Sequence, residues 1–294
     1  MATLVAVVFI VLMLALLSPR RQAALRRCFG SRPAAVFLVP LLLAAFFSLV
    51  LFLQGALVPA FLPLLAAWLL APTAAIYSGR HAGRRLSGRD LAAVLLLWLP
   101  VEFALGKPLL PTHAHSIANE TAQGTALAMG LLVFVIFRNW PGHKYNLPRR
   151  GRDFLYALVA FAAIALPLAA LGRSLGFLGP LRLPLEADPV AFLRLLLITL
   201  LGVAIPEELL FRSLIQNWLV QRFRDPLRGL LAAALVFGAA HLNNGPGPLP
   251  NWRYMLLATI AGFVYGLVFQ RSTSVLASAF LHALVNSVRH TLFR

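Results

Sequence analysis

Charged side chains are scarce in this sequence. Asp, Glu, Lys and Arg make up 12% of its 294 residues, and only 9 of those charged residues are acidic. A soluble domain carries roughly a quarter charged residues, so there is too little polar side chain here to cover a water-facing surface. Cysteine is almost absent. Cys28 stands alone, which excludes a disulfide-built scaffold, and its setting among arginines outside the apolar runs gives no reason to propose a thiol nucleophile. Disorder and collagen are excluded by the high apolar content. Two hydrolase signatures are missing as well: there is no H-E-x-x-H, and no serine within an apolar run has a G-x-S-x-G setting.

What the chain has instead is hydrophobic residues, 60% of the total, arranged in long runs such as 34–53 and 56–70. Cutting the runs at charged and Pro/Gly-rich breaks predicts spans at 2–18, 34–54, 56–78, 91–106, 122–137, 154–172, 190–221, 229–243, 254–270 and 275–290. Several are shorter than the roughly 20 residues a bilayer needs, so tilting or local thinning is expected. The stretch 190–221 exceeds one span and contains Pro206, where a kink or split is expected. The runs show no alternation at period two, so a barrel is excluded. The fold class is all-α: a polytopic transmembrane helix bundle of about ten spans.

The formal net charge is +17. Most of the basic residues fall in short groups between the spans: Arg20, Arg21, Arg26, Arg27 and Arg32; Arg80, Arg84, Arg85 and Arg89; Arg138, Lys144, Arg149, Arg150 and Arg152; Arg222, Arg224 and Arg228; and Arg271. Read as inter-helix loops, they belong on the cytoplasmic side and against lipid headgroups. Without an accompanying run of aromatics they do not support nucleic acid as a partner. Residues 2–17 lack a basic leader and a cleavage pattern, so they read as a retained first span with its N-terminus outside. The expected location is a multi-pass position in a bacterial cytoplasmic (inner) membrane.

The two parts of the chain differ in character. Residues 1–189 carry almost no ionisable group within a span and read as supporting helices, for substrate entry or scaffold. Residues 190–294 carry several, and a charge within a membrane helix is a functional-site hypothesis by default. The first cluster is Pro206-Glu207-Glu208-Leu209-Leu210-Phe211-Arg212. Glu208 and Arg212 are four apart and can pair on one helix face, while Glu207 points about 100° away from Glu208. The second is Phe237 with His241, and the third His282 with Asn286, each four apart. Gly262 and Gly266 form a G-x-x-x-G whose role is close helix packing. Together the clusters supply a carboxylate, two imidazoles and an amide, enough for a base that activates water and donors for an oxyanion. Glu207, His241 and His282 are equally a conceivable zinc set. His113 and His115 with Glu120 read as a solvated outer loop rather than a metal site.

E-E-x-x-x-R (Glu207, Glu208, Arg212), F-x-x-x-H (Phe237, His241) and H-x-x-x-N (His282, Asn286) resemble the signature of the CPBP, or ABI, family of intramembrane proteases. That family includes CAAX-prenyl endopeptidases and bacterial bacteriocin-processing and immunity proteins. The resemblance runs roughly from Leu195 to Arg289, with all three motifs in the family's order. It implies a glutamate-dependent endopeptidase with its site sunk in the membrane. Glu207 with His241 would activate the water, His282 and Asn286 would hold the oxyanion, and Glu208, Arg212 and Phe237 would support. No cofactor is then required, with zinc as the alternative. The implied substrate is a membrane-associated or C-terminally tagged protein or peptide within the lipid bilayer. The competing reading is a transporter or proton-coupled channel built on the same buried Glu/Arg/His set; it predicts pseudo-symmetric halves, whereas the polar residues here crowd into one. A non-catalytic immunity protein on the same fold is the other alternative.

Overall fold

The computed structural model describes residues 1–80, 83, 86–182, 188–245 and 248–293. Arg84 and Arg85 of the second basic group lie outside the described residues. Among those described there are eleven helices and no strand. They divide into two compact units, Met1–Pro141 and Gly142–Arg294. The sequence division near residue 189 marks where the motifs begin; the packing division falls earlier.

The first unit holds α1 (Ala2–Ala15), α2 (Pro19–Ser31), α3 (Pro33–Leu53), α4 (Phe61–Ser78), α5 (Gly88–Glu102) and α6 (Thr112–Phe137). The arginine-rich stretch after the first apolar run was expected to be a loop. It is a helix, α2, bent 92° from α1. Pro19 at its first position needs no N–H partner, and arginine and alanine are good helix formers, so scarcity of apolar residues did not mean scarcity of helix. α1 packs on α6, where Gly124 leaves room for the Phe9 ring. Ser87 caps α5 in a capping box with Asp90, and the same Asp90 carboxylate takes the Arg138 Nε at 2.7 Å. Both partners are buried, and breaking such a pair costs about 3–5 kcal/mol. Arg138, expected in an exposed basic loop, therefore closes this unit from inside.

The second unit holds α7 (Arg152–Ser174), α8 (Pro189–Phe223), α9 (Pro226–Ala239), α10 (Trp252–Arg271) and α11 (Val275–Leu292). Two of these helices start on Asp-Pro. The side chains of Asp188 and Asp225 accept from the second and third backbone N–H groups beyond them, and the proline occupies the position where no donor is needed. α7 packs against α10 and α11, and α9 lies along α10. The 35 residues of α8 run on through Pro206 without the break that was expected. Wide π-helical turns at Leu200–Ala204 and Leu209–Gln216 flank the short α-helical stretch Ile205–Glu208 that contains the proline. They accommodate a residue that has no N–H and whose ring crowds the preceding turn.

Among the described residues six helices are long and apolar enough to cross a membrane: α3, α4, α6, α7, α8 and α10, or up to seven spans if α1 and α2 count as one bent span. The chain is an integral, multi-pass membrane protein. α9 has only 14 residues, and α11 is diluted by His282, Asn286, Arg289 and His290. Those two helices contribute the second and third polar clusters. The segment before α7, read only as a basic loop, anchors the far end of the unit. Lys144 Nζ donates to the carbonyls of Phe269 (2.7 Å), Gln270 (3.1 Å) and Ser272 (2.9 Å), satisfying the C-terminus of α10. Burial lowers the pKa of Lys144, with Asp153 pulling it back up. Asp153 in turn accepts from the backbone N–H of Thr273 at 3.1 Å and from its hydroxyl.

Candidate active site

The three clusters meet around one cavity of about 280 Å³ inside the second unit. Glu207, Phe237, His241, His282 and Asn286 all line it. Glu208 and Arg212 sit beneath it, fully buried, with Arg212 Nε on Glu208 Oε2 at 3.1 Å. The expected ion pair is thus present. Arg212 reaches on to Gln216 Oε1 at 3.5 Å, and Gln216 donates to the Gly266 carbonyl at 3.1 Å, so the pair is tied to α10.

Adjacent positions on a helix face different ways, and the two glutamates differ accordingly. The Glu207 side chain is 33% exposed, on the cavity, and that of Glu208 is 0% exposed. His282 lies between them. Its Nδ1 is 3.3 Å from Glu208 Oε1, and its Nε2 is 3.9 Å from Glu207 Oε2. Two points therefore go beyond the sequence reading. Glu208 supports His282 as well as Arg212, and His282 lies within reach of Glu207 too, with His241 lining the same space.

His241 follows the C-terminus of α9, and the four-residue spacing from Phe237 has a direct use. Its Nδ1 is 2.8 Å from the Phe237 carbonyl, a group that can only accept. Nδ1 therefore carries the hydrogen, and in the neutral ring Nε2 keeps the lone pair. Phe237 is the wedge of the site: its ring meets Phe211 and His241 at 4.9 and 4.8 Å and His282 at 5.9 Å, and the Arg212 guanidinium lies 4.8 Å from its centroid. The glycine pair on α10 serves close packing, as expected. A Cβ on Gly262 would stand 2.6 Å from Phe237, and one on Gly266 would stand 2.5 Å from Gln216 Oε1.

Three cavity residues escaped the sequence reading. Tyr265 stacks on His282 at 4.8 Å and 21°, Tyr254 meets His241 edge-on at 4.6 Å, and Arg289 lies 5.5 Å from the rings of Phe177 and Tyr254. Tyr265 sits inside the G-x-x-x-G, and Arg289 is seven residues, about two turns, beyond His282. Those offsets were the available signals.

A zinc set was the alternative for Glu207, His241 and His282. Among the described residues no three His, Cys, Asp or Glu side chains are placed to hold a metal ion in this arrangement. His113 and His115 are each within hydrogen-bonding distance of a backbone carbonyl, of Gln54 and Leu110 respectively, while Glu120 accepts from Ser116.

Residues 189–288 match the family model described as Type II CAAX prenyl endopeptidase Rce1-like. The match covers about a third of the chain, includes all three polar clusters, and is in keeping with the resemblance read from them. No curated protein and no solved structure matches the chain.

Proposed function

We propose that the Rce1-like segment, residues 189–288, is the hydrolytic part of an intramembrane endopeptidase that uses a glutamate to activate water. The observation that carries the reading is the convergence of Glu207, His241, His282 and Asn286 on one cavity within apolar helices. A water held between the Glu207 carboxylate and His241 Nε2 gives up a proton as its oxygen adds to the peptide carbonyl carbon. The negative charge that develops on the carbonyl oxygen is met by the Asn286 amide and by His282 Nε2, which donates when the ring carries a hydrogen on both nitrogens. The proton then passes to the leaving amine as the C–N bond breaks. Glu208 and Arg212 hold His282 and the floor of the site. The substrate is a membrane-associated protein or peptide, and we place the chain in a bacterial inner membrane with the basic groups on the cytoplasmic side.

The test is a pair of isosteric changes in purified protein, assayed on one membrane-anchored peptide with and without a chelator. Loss of a general base costs about 10²–10⁴-fold in rate. Glu207→Gln should fall by that much with its thermal unfolding unchanged, and chelation should leave the native protein active. Glu208→Gln should keep measurable cleavage and lose stability, because it strands the buried Arg212. Normal cleavage by Glu207→Gln sinks the reading. Loss of activity on chelation, restored by zinc alone, replaces it with a metallopeptidase.

A further inference from the structure

The first unit contains a half-open cavity of its own, about 640 Å³, lined by α3, α4, α5, α6 and the turn joining α5 to α6. The proposed peptidase reading gives it no role. Its size falls within the usual range for small-ligand sites, roughly 300–1,000 Å³. Its long wall is apolar. Phe61 at the start of α4 and Ala71 just past its middle both line it, a depth of about 15 Å along the helix, or one leaflet of a bilayer. Trp68 also contributes, with its indole N–H already donated to the Leu97 carbonyl at 3.0 Å, so it offers the cavity carbon surface.

The polar residues gather at one end. α4 starts, α5 ends and α6 starts at this end, and Lys107, His115, Ser116 and Asn119 line the cavity there or in the first turns of α6. Lys107 is exposed, and no acidic side chain lines the cavity. His115 Nε2 is 3.0 Å from the Leu110 carbonyl and therefore carries the hydrogen, which leaves Nδ1 of the neutral ring to accept. The end of the cavity thus presents one cation, one acceptor and one amide above a deep apolar slot.

We propose that this cavity binds a single-chain anionic lipid, with its tail along α4 and its headgroup on Lys107. Lipid tails are as apolar as the cavity wall, so a tail gains little by leaving the bilayer for it. The selectivity therefore resides in the headgroup, through a charge-assisted contact to Lys107 and the Asn119 amide, with His115 Nδ1 accepting only from a head that carries a hydroxyl. The volume suits one acyl chain rather than a two-chain phospholipid. A fatty carboxylate and a lysophospholipid with an anionic phosphate share this chemistry.

The full chain in phosphatidylcholine nanodiscs would be labelled with a diazirine-tagged palmitate, and the crosslinked peptides mapped by mass spectrometry. Labels are expected on residues 61–71 and 96–122. Oleate or lysophosphatidylglycerol should compete about tenfold better than uncharged monoolein, the ratio one charged hydrogen bond gives; whichever competes better identifies a carboxylate or a phosphate head. Lys107→Glu, on an exposed side chain, should abolish that preference, and Ala71→Phe should cut labelling about tenfold. If Ala71→Phe fails to fold, the Lys107→Glu competition decides alone. Equal competition by the uncharged lipid, labels outside those residues, or an unaltered preference in Lys107→Glu overturns the proposal.

Discussion

His282 is the residue on which the site turns. One ring nitrogen faces the buried Glu208, the other faces the cavity-lining Glu207, and Tyr265 covers one ring face. A ring held on several sides keeps its orientation without help from substrate, which is what a preorganised donor requires. Gly262 matters for a related reason. Only hydrogen fits opposite Phe237, and Phe237 separates Arg212 from the two histidines. Gly262→Ala should therefore push the wedge into the site and destabilise the fold by about 1–3 kcal/mol, as overpacking does. We expect cleavage to fall more than tenfold while the protein still inserts. Unchanged thermal unfolding and unchanged cleavage together would show that α10 yields, and that Phe237 is not held as tightly as its contacts imply.

At the scale of elements, helix ends are where sequence and structure part company. The apolar runs predict helical segments well, because membrane burial leaves a strong and local signature; every run that was marked became helix, most ends shifted by a few residues and the start of α6 by ten. The polar stretches between them carry no such signature. α2 was invisible to hydropathy, and Arg138 and Lys144 looked like surface charges, although each bonds to partners distant in sequence. The four-residue spacings were legible because Glu208–Arg212 and Phe237–His241 are local contacts. Tyr265 on His282 and Gln216 on Gly266 join different helices, and no spacing announces them. Lys144→Met tests the element that was missed. It removes three charge-assisted bonds at the end of α10 and leaves carbonyls without their donor, so unfolding should become easier by about 2–3 kcal/mol. Differential scanning of the two proteins in the same detergent would measure it; equal midpoints would mean that water replaces the ammonium.

For the molecule as a whole, the orientation of the basic groups is the property most readily checked. Cys28 is the only cysteine, it is exposed, and it lies on arginine-rich α2. If α2 lies at the cytoplasmic surface, as its arginines require, a membrane-impermeant maleimide added to intact cells should leave Cys28 unlabelled and should reach it after permeabilisation. In a Cys28→Ser background, His113→Cys, exposed beyond the far end of α5, should react from outside. Labelling of both positions from the same side would overturn the alternating topology. That the polar clusters of the candidate site fall in the C-terminal unit was legible from charge alone, since ionisable groups within apolar helices concentrate there. The cavity of the N-terminal unit was not, because a slot lined by apolar residues reads in sequence as one more membrane run.

The shortness of α9 bears on hydration. Fourteen residues rise about 21 Å, against a hydrocarbon layer of about 30 Å. An α9 set across that layer leaves roughly 9 Å to be filled by the turn after it, where His241 lies, and by whatever headgroups and water follow that turn inward. A hydrolase inside a membrane has to obtain its second reactant from outside, and a dimple over a truncated helix delivers it without a pore. Turnover should then track bilayer thickness. Vesicles of long-chain phosphatidylcholines should slow cleavage relative to short-chain ones at equal fluidity, and indifference to chain length would show that water reaches His241 by another route.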